Sequence, residues 1–254
     1  MVTTFQKNMS FTSKEIKILP TLVAPIQRLQ PVFADQYQGE WINYSIGSKI
    51  DRVFYEPKNQ FFRSGGRAIV LGNSASRLHW PIIKFNRSNK HKRLINYNVL
   101  YGCNRAFEEP GELDFLTVSN NLLATEVPKS LHQICYSNQE NVRINPKMNL
   151  LPLHQRFDAG TSAVILACFH GAKKVFLFGF DGDSSIYAGT KFYPELGQKV
   201  NSSSWSENLY SVAIAYSQVE FYRVGKTPES ARKMTVLPNY SELTWNEFVS
   251  YADL

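Results

Sequence analysis

The 254-residue sequence predicts an α/β fold built around one mostly parallel sheet. Two regularities predict it. Short apolar runs bounded by turn residues recur along the chain, which is typical of strands that are buried on both faces. Apolar segments with helical spacing lie between these runs, and strands that alternate with helices form parallel sheets. We therefore expect a Rossmann-like sheet with helices on both faces.

The candidate strands are short apolar runs, most of which end at Gly, Asn or Pro. Lys174–Phe178 has the strongest pattern and is followed directly by Gly179. A further candidate strand, Ile50–Tyr55, precedes the regular series. The runs of the series are Ala68–Leu71, Tyr97–Tyr101, Asp114–Val118, Gln133–Tyr136, Lys174–Phe178 and Lys233–Leu237.

Three segments are candidate helices. Thr161–Phe169 is apolar and is followed by Gly171, a residue that commonly ends helices. Ser206–Tyr222 has apolar residues at positions 209, 212, 213 and 216, which is helical spacing. Thr244–Glu247 fits a capping box and predicts a short final helix.

The pattern divides the chain into two parts. Residues 1–66 contain prolines and scattered aromatic residues with weak periodicity, so we interpret them as an N-terminal extension. Residues 67–254 carry the regular pattern and form the predicted main domain.

Composition excludes several classes of protein. Hydrophobic residues make up 43% and charged residues 19%, as in folded globular proteins. Apolar runs such as Ala163–Phe169 are too short for a membrane span, and the N-terminus lacks the apolar stretch of a secretory signal. The three cysteines have no zinc-binding spacing. We expect a reducing, cytoplasmic location.

Basic residues outnumber acidic ones by 28 to 21, a net charge of +7 that favours polyanionic partners. Much of this charge lies in one run without acidic residues, interleaved with His79, Trp80, Phe85 and His91. Such a mixture is typical of surfaces that bind nucleic acid, and a solvated loop is the alternative. Its basic residues are Arg77, Lys84, Arg87, Lys90, Lys92 and Arg93.

Polar residues follow nearly every candidate strand. In a parallel sheet the carboxyl ends of the strands meet at one edge, where ligands bind. Gly72, Asn73, Ser74 and Ser76 follow the first run and are able to turn backbone N–H groups and hydroxyls towards a phosphate. The alternative is that these are ordinary turn residues. The chain lacks the dinucleotide and P-loop glycine patterns. The other ends carry Gly102–Asn104, Ser119–Asn121, Asp181–Asp183 and Pro238–Asn239.

The segment before the first candidate helix is a second candidate binding element. Arg156 precedes Asp158, and Ala159, Gly160 and Thr161 open the apolar helix. A helix N-terminus with a nearby guanidinium is suited to an anionic or carbonyl-rich group. The alternative is a capping Asp158 beside a surface arginine.

Ordered motifs make the chain resemble a known family. It resembles the CMP-sialic-acid-dependent sialyltransferases of glycosyltransferase family 42 and the related family 115-type domains. The resemblance spans roughly residues 67–240 and implies a GT-A-like variant of the Rossmann-like sheet. The matching segments are Ile69–Ser76, Cys103–Asn104 with Phe107, Val118–Asn120, Gln155–Gly160, Lys174–Asp181 with Ser184–Tyr187, and Val236–Tyr240.

The resemblance implies roles for individual residues. Asn73, Asn104 and Asn120 take the places that bind the cytidine nucleotide, and Tyr187 takes that of a tyrosine on the donor phosphate. Arg156, Ala159 and Gly160 would line the nucleoside or sugar pocket. The family needs no metal or other cofactor, because hydroxyl donors neutralise the departing phosphate. The resemblance therefore implies an inverting glycosyltransferase with a CMP-sugar as donor.

The catalytic base departs from the family pattern. Trp205 stands where the family has a histidine, so the candidate bases are Glu207, Asp158 and Asp181. Asp181-Gly-Asp183 also has the form of a metal-binding Asp-x-Asp, which leaves metal dependence open as an alternative.

The acceptor is predicted from charge. No Lys or Arg follows Lys233, so the chain lacks the basic tail with which related enzymes approach membranes. Our preferred hypothesis is a phage enzyme of the host cytoplasm that transfers a sugar such as arabinose to hydroxymethylated cytosine in DNA. A base in duplex DNA would then be flipped out. The alternatives are a sialyltransferase-like enzyme that acts on a cell-surface glycan and a non-catalytic nucleic-acid-binding protein on a degenerate transferase fold. The oligomeric state is left open.

Overall fold

The computed structural model describes residues 40–46, 49–55, 66–79, 98–108, 113–145, 147–151, 157–181 and 202–251. Eight parallel strands in these ranges form one sheet in the order β10-β9-β8-β3-β4-β5-β6-β7. They are β3 (Arg67–Leu71), β4 (Asn98–Cys103), β5 (Phe115–Val118), β6 (Cys135–Ser137), β7 (Asn149–Leu150), β8 (Lys174–Phe178), β9 (Glu220–Val224) and β10 (Tyr240–Leu243). The predicted parallel α/β sheet is confirmed.

Helices cover both faces of this sheet. In β3, Ala68 and Val70 pack in the core that contains α3 (Ala159–Phe169) and α4 (Ser202–Ala215), whereas Ile69 and Leu71 pack on the opposite face with Phe248 of α5 (Trp245–Tyr251). Helix α3 is buried at ten of its eleven positions, because it lies between the sheet and α4. The helices are α1 (Asn121–Glu126), α2 (Gln139–Ile144), α3 (Ala159–Phe169), α4 (Ser202–Ala215) and α5 (Trp245–Tyr251).

The predicted capping box is confirmed at the start of α5. The backbone N–H of Thr244 donates to Glu247 Oε2 at 2.7 Å, and the backbone N–H of Glu247 donates to Thr244 Oγ1 at 3.3 Å. These two bonds satisfy donors that a helix leaves without intrahelical partners, so the short helix begins at a defined residue.

Two secondary-structure predictions are wrong. The predicted strand Lys233–Leu237 lies mostly in a 3₁₀ helix, Glu229–Val236. Its buried residues Ala231 and Met234 are three apart, which is the period of that helix. The predicted helix Ser206–Tyr222 ends at Ala215, and its last residues belong to β9. No Gly or Pro separates the helix from the strand, so the sequence pattern did not mark where the helix ends.

Before the main sheet in the chain, β1 (Glu40–Ile46) and β2 (Lys49–Tyr55) form a two-stranded antiparallel sheet. The predicted strand Ile50–Tyr55 is thereby confirmed within β2. The division of the chain at residue 66 stays a prediction. Among the described residues, no helix has the length and apolar character needed to cross a bilayer.

A buried histidine makes the fold sensitive to acid. His170 is 3% exposed, and its Nδ1 lies 2.9 Å from the hydroxyl of Tyr101. Burial lowers the pKa of His170 from 6.5 to about 3. Because the unfolded chain binds a proton below pH 6.5 and the folded chain does not, folding stability falls as the pH drops from about 6.5 towards 3.

We expect the free energy of unfolding of the wild type to fall by up to about 1.4 kcal/mol per pH unit in this window from His170 alone. The variant His170→Phe removes the titrating group and keeps an aromatic ring. Urea titrations at several pH values measure how the free energy of unfolding changes with pH in the wild type and in the variant. Below pH 6 this change should be smaller in the variant. Equal slopes would show that His170 does not control the acid limb.

Candidate functional site

The site lies where the order of the strands reverses. The chain runs from β3 outward through β7 and then returns to β8 on the other side of β3. The carboxyl ends at such a switch point border a crevice that binds ligands in open α/β sheets. The segments Gly72–Ser76 after β3 and Gly179–Asp181 after β8 therefore form its centre.

These two segments are hydrogen-bonded and lie very close together. The backbone N–H of Gly72 donates to Phe178 O at 2.7 Å, and that of Ser74 donates to Gly179 O at 3.0 Å. A Cβ on Gly72 would lie 2.2 Å from Gly179 O, and Gly179 has a φ of +70°. Only glycine fits this approach at position 72, and glycine is favoured at position 179.

The three predicted asparagines lie in a row along this edge. Asn73 Oδ1 accepts a hydrogen bond from Cys103 Sγ at 3.3 Å, and Asn104 follows Cys103 in the chain. Asn104 Oδ1 accepts from the backbone N–H of Ser119 at 3.3 Å, and Asn120 follows Ser119. The row thus runs across the ends of β3, β4 and β5, which are neighbouring strands.

Asn104 has an uncommon backbone conformation. Its φ is +48°, the only positive value among the non-glycine residues that the structure describes, and the residue is 8% exposed. Left-handed backbone costs free energy for any residue with a Cβ and is found preferentially at functional sites. Asn120 has a local role as well, because its Oδ1 caps α1 by accepting from Leu122 N at 2.9 Å.

The first turn of α3 adjoins this row. Asp158 caps the helix: its Oδ1 accepts from Thr161 N at 2.8 Å and its Oδ2 from Thr161 Oγ1 at 2.5 Å. Thr117 of β5 donates from Oγ1 to Ala159 O at 2.7 Å, which fixes the turn against the strand. Gly160 faces Phe180, since a Cβ there would lie 3.0 Å from Phe180 Cε1.

The Asp158 carboxyl group carries an altered pKa. Burial raises the pKa of Asp158, and hydrogen bonds from Thr161 and from the side chain of Asn208 in α4 oppose the rise. Burial also raises the pKa of the Cys103 thiol to about 12, with Arg77 lowering it and Asp158 raising it. Cys103 is therefore a neutral thiol at pH 7 and no nucleophile.

The other two candidate bases have different surroundings. Both oxygens of Asp181 are engaged: Oδ1 in an ion pair with Arg223, and Oδ2 by the backbone N–H of Ser76 at 3.0 Å. The side chain of Glu207 is 65% exposed and pairs with Lys233. Asp158, by contrast, is partly buried and is held by Thr161 and Asn208 beside the row.

Trp205 lies in the same region, where α4 meets Phe180. It is 6% exposed, and its ring centroid is 6.1 Å from that of Phe180 with the planes at 56°. Among the described residues, none accepts a hydrogen bond from its buried Nε1. An indole N–H only donates, so Trp205 is unable to act as a base.

Several predicted site residues lie elsewhere or outside the described ranges. Arg77 is 4% exposed and donates from Nη1 to Gly72 O, so this arginine is part of the buried floor of the site and is unsuited to a nucleic-acid surface. Arg156, Tyr187 and Asp183 lie outside the described residues. So do the remaining members of the basic run, which are Lys84, Arg87, Lys90, Lys92 and Arg93.

No grouping of three or more His, Cys, Asp or Glu side chains suited to a metal ion occurs in the parts of the chain that the structure describes. Sequence reasoning missed Arg223 as a neighbour of the site. Arg223 lies 42 residues from its partner Asp181, and only the pairing of β8 with β9 brings them together.

Comparisons with known proteins add weak likenesses. No family model and no curated protein matches the chain. The sialyltransferase CST-II with a trisaccharide acceptor and CMP is 17% identical, with 68% of this chain and 86% of that chain covered and a TM-score of 0.45. An α-2,3-sialyltransferase of Campylobacter jejuni is 15% identical, with 68% of this chain and 81% of that chain covered and a TM-score of 0.44. The monofunctional α-2,3-sialyltransferase Cst-I of Campylobacter jejuni is 15% identical, with 69% of this chain and 81% of that chain covered and a TM-score of 0.40. These values are too low to support a conclusion about activity.

Proposed function

We propose that the protein is an inverting glycosyltransferase that moves a sugar from a CMP-activated donor to a hydroxyl acceptor. The observation that carries the proposal is the row of Asn73, Asn104 and Asn120 beside the first turn of α3. The resemblance of the strand-end motifs to CMP-sugar-dependent transferases points to the same chemistry.

The row is suited to a pyrimidine nucleotide. Each Oδ1 of the row already accepts a hydrogen bond within the protein, so the proposed contacts to the edge of cytosine and the ribose hydroxyls come from the side-chain NH₂ groups, which donate. The N-terminus of the eleven-residue helix α3 is already capped by the Asp158 carboxylate, so the phosphate group is assigned to the segment Gly72–Ser76. Thr161 is fully buried and its Oγ1 donates to Asp158, so the further donors proposed for the nucleotide are the hydroxyls of Ser74 and Ser76 in the segment Gly72–Ser76. The proposed site binds the nucleotide without a metal ion.

Asp158 is the proposed proton acceptor. In the reaction the acceptor oxygen forms a bond to the anomeric carbon, the bond from that carbon to the phosphate oxygen breaks, and CMP leaves. The acceptor O–H proton goes to the Asp158 carboxylate. Its raised pKa makes it a stronger base than an ordinary aspartate, and Thr161 and Asn208 hold it in place.

Substitution of Asn104 tests the nucleotide site. Asn104→Gly removes the amide and its bond from Ser119 N but relieves the strain of the positive φ, and because these effects oppose each other the free energy of unfolding should change by less than about 1 kcal/mol. The affinity for CMP should nevertheless fall at least about tenfold, or 1.4 kcal/mol. Calorimetric titration with CMP, together with urea denaturation, measures both quantities.

Asn239→Ala is the matched control. The Asn239 side chain donates to the carbonyls of Ala213, Tyr216 and Val219, away from the row. This variant should lose stability and keep the CMP affinity of the wild type. Unchanged CMP binding by Asn104→Gly would remove the site assignment.

The proposed acceptor is hydroxymethylated cytosine in DNA, with an arabinose-like sugar as the transferred group. The net charge of +7 and the basic run before β4 support it. The protein should retard the migration of duplex DNA in a gel at ~50 mM salt, where counterion release makes such contacts strongest. No retardation would count against a DNA acceptor.

Incubation with labelled donor and either modified DNA or an oligosaccharide separates the acceptors. Label in the oligosaccharide alone would select the sialyltransferase-like alternative with a cell-surface glycan. Trp205 in place of a histidine favours a third outcome, a non-catalytic nucleic-acid-binding protein. DNA binding without donor hydrolysis or transfer would select it.

A further inference from the structure

A buried ion pair lies directly behind the proposed nucleotide site. Arg223 and Asp181 form it, and their side chains are 5% and 15% exposed. Arg223 belongs to β9, whereas Asp181 follows β8, so the pair joins two neighbouring strands at their carboxyl ends. Two charges with so little access to water are held only where hydrogen bonds and geometry compensate their desolvation.

The guanidinium of Arg223 is fixed by three acceptors. Nη2 binds Asp181 Oδ1, Nη1 donates to Phe180 O at 3.0 Å, and Nε donates to Lys226 O at 2.6 Å. An arginine held along its planar fork has little freedom to move. Arg223 therefore gives the carboxylate of Asp181 a fixed position.

The second oxygen of Asp181 reaches the nucleotide-binding segment. Asp181 Oδ2 accepts from the backbone N–H of Ser76 at 3.0 Å, at the start of the 3₁₀ helix Ala75–His79. The backbone N–H of Ser74 also donates to Gly179 O, where the segments after β3 and β8 meet. The segment Gly72–Ser76 is thus tied to β9 through one carboxylate, although it shares no strand pairing with β9.

We infer that Arg223 is a positioning residue, which acts through Asp181 to hold the segment Gly72–Ser76 in the conformation that binds the nucleotide. This inference rests on the proposed function, because it assigns the segment to CMP. It also assigns Asp181 a role in positioning in place of that of a base.

The test compares Arg223→Met with the control Tyr101→Phe. The control removes the hydroxyl that meets His170 in the core and leaves the bridge intact. Both variants should melt at lower temperature than the wild type. Only Arg223→Met should speed amide hydrogen exchange in the peptide 72–79, and only this variant should weaken CMP binding, by about tenfold or more in each measurement.

Two further variants sharpen the test. Arg223→Lys keeps the charge without the fork and should lie between wild type and Arg223→Met in both measurements. In Asp181→Asn combined with Arg223→Met, CMP binding should be no weaker than in the worse single variant, because the two residues act as one unit.

The outcomes distinguish this inference from the proposed function. If the wild type binds no CMP, the proposed function fails, and faster exchange in Arg223→Met alone would still support the bridge as a device that positions this segment. If exchange and CMP binding of Arg223→Met equal those of Tyr101→Phe, the bridge is merely structural and the inference is overturned.

Discussion

Replacing Asp158 by asparagine is expected to lower the rate of sugar transfer by about 10²–10⁴-fold, the usual contribution of a general base. Asparagine caps helices as well as aspartate does, so the bond from Thr161 N to the side-chain oxygen is retained. The free energy of unfolding should therefore change by less than about 1 kcal/mol. Single-turnover measurements with saturating donor report the loss in the chemical step.

The pH dependence supplies an independent readout for Asp158. Because the base must be ionised, kcat/KM of the wild type should rise with pH through a pKa above the ordinary 3.8 of aspartate. The residual activity of Asp158→Asn should not show this rise with pH. Glu207→Gln is the control: its carboxylate pairs with Lys233 at the surface, and its loss should leave the rate nearly unchanged. If Glu207→Gln lowers the rate and Asp158→Asn keeps full activity, Glu207 is the base and Asp158 is not.

Gly72→Ala is expected to destabilise the fold by about 3 kcal/mol, the upper end of ordinary overpacking. The added methyl carbon would lie 2.2 Å from Gly179 O, 2.9 Å from Gly179 C and 3.1 Å from Phe178 O. All three are backbone atoms, so no side chain is able to rotate away, and β3 and β8 have to move apart at the site. CMP binding should be lost with the geometry of the crevice. Thermal unfolding and calorimetry measure the two effects.

Gly225→Ala separates collision from backbone strain. Gly225 has a φ of +105°, and a Cβ there meets no atom within 4 Å. This variant should cost only about 1–2 kcal/mol, from the conformation alone, and should bind CMP like the wild type. Equal destabilisation by the two variants would show that the approach of residues 72 and 179 is looser than described.

The sheet was predictable where its strands are short and apolar, as in β3, β4, β5 and β8, whereas β7, β9 and β10 carry polar residues and were not predicted as strands. The predicted segment Lys174–Phe178 has the same bounds as β8, and Asp158 caps the start of α3, as the alternative interpretation of that segment expected. The prediction failed where apolar residues were too sparse or too continuous to mark an element. In the segment 229–236 two buried residues sufficed for a 3₁₀ helix, and between α4 and β9 no turn former marks the boundary.

The candidate site was predictable only as a set of strand ends. In a parallel sheet every strand end lies at one edge, so Asn73, Asn104 and Asn120 were expected to lie near one another. The contacts that shape the site depend on register and on partners distant in sequence. Arg223 and Asp181 meet only because β9 pairs with β8, and local pattern does not report such a pairing.

The central claim is that the row of asparagines binds the nucleotide. Titration of ¹⁵N-labelled protein with CMP, followed through the side-chain amide resonances in NMR spectra, tests it most directly. The resonances of Asn73, Asn104 and Asn120 should shift together along one binding curve, while that of Asn239, bonded to Ala213 and Val219, stays in place. Saturation with CMP that leaves the three resonances unmoved, or that moves Asn239 equally, would contradict the account.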